Sequence, residues 1–136
     1  MTPGDALAQD AQIWLAAHGF VVVNQPALHE EAGVQMSDLA RPPLRVRLVN
    51  DRGSWSMEVA GPDGHWIDLE LWRDLLDGGA YSAGPNAFAD CVAILRDRLE
   101  EIAALAASPD FSTTTAALEA LHHERAVARY GLPPGQ

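Results

Sequence analysis

The sequence predicts an α+β fold: an N-terminal helix, a small, mainly antiparallel sheet of three to four strands, then a short helix and two longer C-terminal helices packed on the sheet. Three observations carry this. Apolar residues alternate with other residues along 44–49 and 55–60, the period of half-buried strands. From Phe88 onward they recur instead at helical spacing for about five turns. The strand signals cluster ahead of the long helices rather than alternating with them, which separates α+β from α/β.

Thr2 is placed to cap the first helix, Pro3 suits its first position, and Asp5 stands three residues after the cap. Leu7, Ala11, Trp14 and Leu15 then share one face, and His18 and Gly19 fit a helix end. Phe20-Val21-Val22-Val23 reads as a short buried strand. Residues 24–43 are punctuated by Pro26, Gly33, Pro42 and Pro43. A short helix around Leu28 to Met36 is the only element they suggest, and the stretch is long for a structureless connection.

Leu44, Val46 and Leu48, then Trp55, Met57 and Val59, predict a hairpin about Asp51-Arg52-Gly53-Ser54 with one buried face. Glu58 then opposes Arg45 or Arg47. Gly61-Pro62-Asp63-Gly64 is a second turn, and His65-Trp66-Ile67 a third strand. Asp68 is placed to cap a helix from Leu69 to Asp77, with Leu69, Trp72 and Leu76 on one face and Gly78-Gly79 as its stop. Ile67, Leu69 and Leu71 also alternate, so a continued strand is the rival reading. After a loop from Gly78 to Pro85, Asn86 caps the longest helix, which runs to about Ala107. Its buried stripe is Phe88, Val92, Leu95, Leu99, Ile102 and Ala106, and Arg96 and Glu100 form an exposed i,i+4 pair. Ser108-Pro109 breaks it. Ser112 caps a last helix to about Tyr130, with Phe111 stapled against Ala116, and Leu132 to Gln136 form a tail. The expectation is one domain over 1–136.

Nineteen acids against nine bases give a formal charge of −10, and all nine bases are arginine. The absence of lysine with abundant alanine reads as codon bias of a GC-rich bacterial genome. An apolar content of 48 % excludes a disordered chain, and a single cysteine excludes an intrachain disulfide. The charge argues against a nucleic-acid partner, which needs clustered bases, and against anionic lipid. It suits a basic protein partner. No 18-residue apolar stretch exists to span a membrane. The N-terminus lacks the basic segment of a secretory signal, and the lone Cys91 fits a reducing compartment. The expected location is the cytoplasm.

No residue pattern specifies chemistry. His122-His123-Glu124 places neighbouring histidines about 100° apart on a helix, so they do not share a metal, and Glu119 with His123 supplies only two ligands. His29-Glu30-Glu31 lacks the HExxH spacing. His65 with Asp68 has no nucleophile beside it. Cys91 falls beside an apolar stripe, as a buried structural thiol does. Thr113, Thr114 and Thr115 read as helix-start residues, and Gly61 to Gly64 lacks the continuation of a phosphate loop. The expectation is no catalytic residue, no metal and no cofactor.

The acids themselves are more informative. Glu58, Asp63, Asp68, Glu70, Asp74 and Asp77 face a single base, Arg73, in one stretch that also holds Trp66 and Trp72. On a helix, Glu70, Asp74 and Asp77 share a face, either solvated beside core tryptophans or used against a partner. The candidate partner-binding residues are Asp63, Trp66, Asp68, Glu70, Asp74 and Asp77.

Two stretches, Arg47 to Val59 (RLVNDRGSWSMEV) and Trp66-Ile67-Asp68 followed by Leu71-Trp72-Arg73-Asp74-Leu75-Leu76-Asp77-Gly78, resemble small acidic immunity proteins of bacterial polymorphic toxin systems. The resemblance covers about a quarter of the chain. It implies a non-enzymatic antidote that blocks a cognate toxin, often a basic nuclease, and it supplies no catalytic residues. Two other readings stay open. One is a secretion or assembly chaperone, for which an exposed apolar stripe and a dimer are the marks. The other is a small-ligand-binding or enzymatic domain, whose site His29, His65, His122 and His123 would have to build together. Sequence does not decide between monomer and homodimer.

Overall fold

The computed structural model describes residues 2–24, 33–82 and 87–131. The elements run α1 (Pro3–Ala17), β1 (Val21–Asn24), β2 (Val34–Arg41), β3 (Leu44–Asp51), β4 (Ser54–Ala60), β5 (Trp66–Asp68), α2 (Leu69–Leu76), α3 (Phe88–Ala106) and α4 (Phe111–Tyr130). All five strands join one antiparallel sheet in chain order, β1-β2-β3-β4-β5. The class is therefore α+β, with one strand more than the largest number expected. Among the described residues no helix is long and apolar enough to cross a membrane.

The reciprocal cap expected on α1 is present. The Thr2 hydroxyl accepts from the Asp5 N–H at 3.1 Å, and the Asp5 carboxylate accepts from the Thr2 N–H at 3.0 Å. The Trp55 indole N–H also donates to Asp5, at 2.9 Å, which ties the helix start to β4. These donors hold the Asp5 carboxyl below its usual range, the Thr2 N–H most of all. Gly19 leaves the helix at φ +89°, a left-handed conformation that glycine adopts without strain.

The hairpin register pairs Val46 with Val59 and Leu48 with Met57. These side chains, with Leu39, Leu44 and Ile67, face α1, α2, α3 and α4 across one core that includes Leu15, Leu71, Trp72, Leu95, Ile102 and Leu118. The opposite face, called the outer face below, contributes nothing to that core.

Several local expectations are corrected. Val34 to Met36 begin strand β2 instead of ending a helix, while the proposed start at Leu28 lies outside the described residues. Val21, Val22 and Val23 are not buried: they are 64, 49 and 50 % exposed, because β1 is an edge strand with one neighbour. Only the preceding Phe20 reaches the core. Asp68 precedes α2 but makes no side-chain cap, because its carboxylate is taken by Arg125. Asp110, not Ser112, precedes α4, and Phe111 stacks on Trp72 at 6.3 Å while crowding Gly61, where a larger side chain has no room. Arg41, not Arg96, takes Glu100, at 2.8 Å. Asn86 and Leu132 to Gln136 lie outside the described residues; α3 begins at Phe88.

α4 runs beside the edge strand β5. Thr115 donates to Asp63 at 2.8 Å, His65 Nδ1 lies 3.2 Å from Glu119, and Arg125 reaches Asp68.

Candidate partner-binding surface

Residues directly opposite one another in an antiparallel sheet share a face. One such row crosses the outer face: Asp38 opposes Arg47, Arg47 opposes Glu58, and Glu58 opposes Asp68. Arg125 of α4 closes it. Alternation along the strands placed Arg47 and Glu58 outward as soon as Val46 and Val59 turned inward.

The row is unevenly paired. Arg47 grips Asp38 with two parallel bonds, Nε to Oδ1 at 2.7 Å and Nη2 to Oδ2 at 3.0 Å. That fork is the stronger, oriented kind of ion pair, and it leaves Asp38 buried. The same guanidinium lies 4.0 Å from the Trp66 ring centre, a cation–π contact. Arg125 bonds Asp68, stands 3.9 Å from Glu70, and donates to His122 Nδ1 at 3.1 Å. Glu58 has no ion-pair partner among the described residues. Burial, and then the facing Asp68, push its carboxyl above the usual glutamate range.

The six expected site residues separate into groups. Trp66 and Asp68 belong to this row or sit beside it, and Glu70 joins through Arg125. Glu70 turns inward, with the Cys91 thiol 3.6 Å from its carboxylate. Burial raises the Glu70 carboxyl, and burial together with Glu70 pushes the Cys91 thiol up to about 12, so the thiol stays protonated. Asp74 is only 3 % exposed: one oxygen accepts from Arg73, and the other accepts from the Ser82 N–H at 3.0 Å. It anchors the chain after α2 and is not presented to a partner. Asp77 is exposed and pairs with Arg98 at 2.8 Å. Asp63 stands on the β4–β5 turn, held by Thr115 and the His65 N–H. Glu70, Asp74 and Asp77 therefore do not form one exposed face, since α2 turns the first two toward α3 and the following chain.

Of the five residues in the row, sequence reasoning names only Asp68 as a site residue; it reads Glu58 as a cross-strand partner of Arg45 or Arg47, and does not single out Asp38 or Arg125. Neither carries a local signal, because each acts through a partner on another element. The row of Asp38, Arg47, Glu58 and Asp68 becomes readable only once β2 is recognised. Among the described residues no group of three or more His, Cys, Asp or Glu is placed to hold a metal ion. His18 stacks on Trp14, His65 meets Glu119, and His122 meets Arg125; His29 lies outside the described residues.

Comparison with known proteins finds no matching family model, no similar curated protein and no similar solved structure.

Proposed function

We propose that this chain is a non-enzymatic binding protein of the immunity type, acting in the bacterial cytoplasm, that blocks a basic toxin domain through the outer face of its sheet. The observation that carries the reading is the charged row. It holds three carboxylates and two arginines, and Glu58 makes no ion pair among the described residues, since the facing Arg47 is committed to Asp38 and to the ring of Trp66 and Arg125 to Asp68. A basic side chain from a partner supplies what Glu58 lacks, and the half-buried setting strengthens that attraction over one made in open water. The formal charge of −10 adds steering at long range. The quoted resemblance to immunity proteins points the same way.

The test begins with capture from bacterial lysate by the tagged protein and by a Glu58→Arg, Trp66→Ala double variant, both shown to be folded by circular dichroism. The captured protein is then expressed alone and together with this chain. The expected partner is basic, is released by high salt, and arrests growth unless the wild-type chain is present. The double variant binds it at least ~30-fold more weakly, the loss typical of a central interface anchor. A partner without toxicity, or one bound equally by both proteins, removes this reading.

A further inference from the structure

A second row crosses the outer face next to the charged one. Val21 opposes Ala40, Ala40 opposes Arg45, Arg45 opposes Ala60, and Ala60 opposes Trp66. Ala60 is buried, but Ala40 is small and partly exposed, so the row forms a trough at its β1 end. It opens into a groove of about 640 Å³ bounded by Val21, Val23, Pro42, Pro43, Arg45 and Pro62. Most of its lining is apolar. At one end it meets β1, which has a single neighbour in the sheet and carries three of the five large apolar side chains exposed among the described residues.

Arg45 gives the groove its polarity. Arg41, Arg47, Arg52, Arg73, Arg98 and Arg125 all have an acid partner. Arg45 is exposed and, like Arg96 and Arg129 on the helices, has none among the described residues, but it alone of the three lines a groove. Asp63 lines the same groove, but Thr115 and the His65 N–H occupy its carboxylate. A cation thus stands in apolar surroundings in a chain with an excess of acids.

We infer that this groove docks an extended, apolar segment of a partner protein that carries a carboxylate for Arg45. Three features select a peptide. The groove is an open trough, whereas small-molecule sites enclose most of their ligand. The edge strand at its margin offers main-chain bonding that only another polypeptide uses. A guanidinium on an apolar floor favours an acid flanked by apolar groups. A second copy of this chain fits less well, because three valines fall far short of the roughly 800 Å² per partner of a stable interface. The inference does not rest on the toxin reading, since it concerns a different row and the opposite charge.

The probe is a fluorescein-labelled, amidated seven-residue peptide of alternating threonine and valine ending in glutamate, with a glutamine-ended peptide as its control. Fluorescence anisotropy on the wild-type protein is expected to show the glutamate peptide binding about 10-fold more tightly, the margin of a charge-assisted hydrogen bond. Amide shifts at Val21, Val22 and Val23 accompany binding. Arg45→Gln erases the preference, whereas Arg129→Gln keeps it. Absence of binding by either peptide overturns the inference, as does a preference that survives Arg45→Gln. Sodium decanoate perturbing the same amides while the peptides do not assigns the groove to a free apolar acid instead. A dimer in sedimentation that Val21→Arg dissociates assigns it to a second copy.

Discussion

At one edge of the sheet, β5 is three residues long, and α4 runs beside it through contacts at Asp63, His65 and Asp68. At the other edge, β1 is four residues long and presents three valines that are about half exposed or more. Both edges leave a strand with one neighbour. One is protected by shortness, charge and a helix, which are the usual defences of an edge. The other shows apolar side chains to solvent, a cost that a solitary protein has reason to avoid. The contrast teaches that the two sides serve different ends. The α4 side closes the core, whereas the β1 side leaves apolar surface open and is where the proposed contact lies.

The contrast can be broken by comparing mutational costs. Leu118 of α4 is almost fully buried against the core. Leu118→Ala is expected to lower unfolding stability by about 2–5 kcal/mol in urea titration, since it removes buried methyl groups and leaves a cavity. A loss under about 1 kcal/mol shows that α4 is not needed to close the sheet.

Glu58 stands between the two edges, on the outer face of β4. Its carboxyl holds its proton more tightly in the folded chain than at the ordinary glutamate value of 4.5, mainly through burial and then the facing Asp68. Ionised Glu58 therefore opposes folding. Its favourable contribution is complete below the unfolded value and fades as pH rises through the higher folded one. Glu58→Gln should accordingly stabilise the fold at pH 7 by about 0.2–1 kcal/mol, the range for like charges facing across strands. Below the ordinary value the advantage disappears. A variant less stable than wild type at pH 7 shows that Arg47 outweighs both causes.

The smallest effect belongs to β1. Val21→Thr keeps the β-branched shape, and Val21 is 64 % exposed, so its stability should stay within about 0.5 kcal/mol of wild type. A cost like that of Leu118→Ala means that this edge is covered in solution.

What the sequence made legible follows from where periodicity is clean. β3 and β4 alternate because one face meets the core and the other does not. α3 shows its stripe for the same reason. β2 escaped because both of its faces are mixed. Leu39 faces the core with Ser37 and Arg41, whereas Asp38 stands on the outer face with Met36 and Ala40. Its apolar and polar positions therefore cancel as a period-2 signal. The triple valine of β1 has no alternation at all, so it reads equally well as a buried strand or as this exposed one. In the site, Trp66 and the inner hairpin face were readable locally. Asp68 was readable as a candidate acid, but not its partner: a residue just before a helix suits a cap, and only the distant Arg125 takes its carboxylate away. Asp74 misled for a related reason. Helical spacing groups Asp74 with Glu70 and Asp77, but it does not say that the chain returning at Ser82 lies over that face.

The clasp of α4 on β5 also fixes when the sheet is finished. Thr115 meets Asp63 across 52 residues of chain, and Arg125 meets Asp68 across 57. During synthesis the hairpins can pair soon after they emerge, since their partners are close in sequence. The β5 margin must wait for α3 and nearly all of α4 to leave the ribosome. At rates of about 5–20 residues per second this leaves the margin bare for about 3–11 seconds in every round of translation. Its brevity, three residues ending in an aspartate, then protects the nascent chain from pairing with its neighbours during that interval.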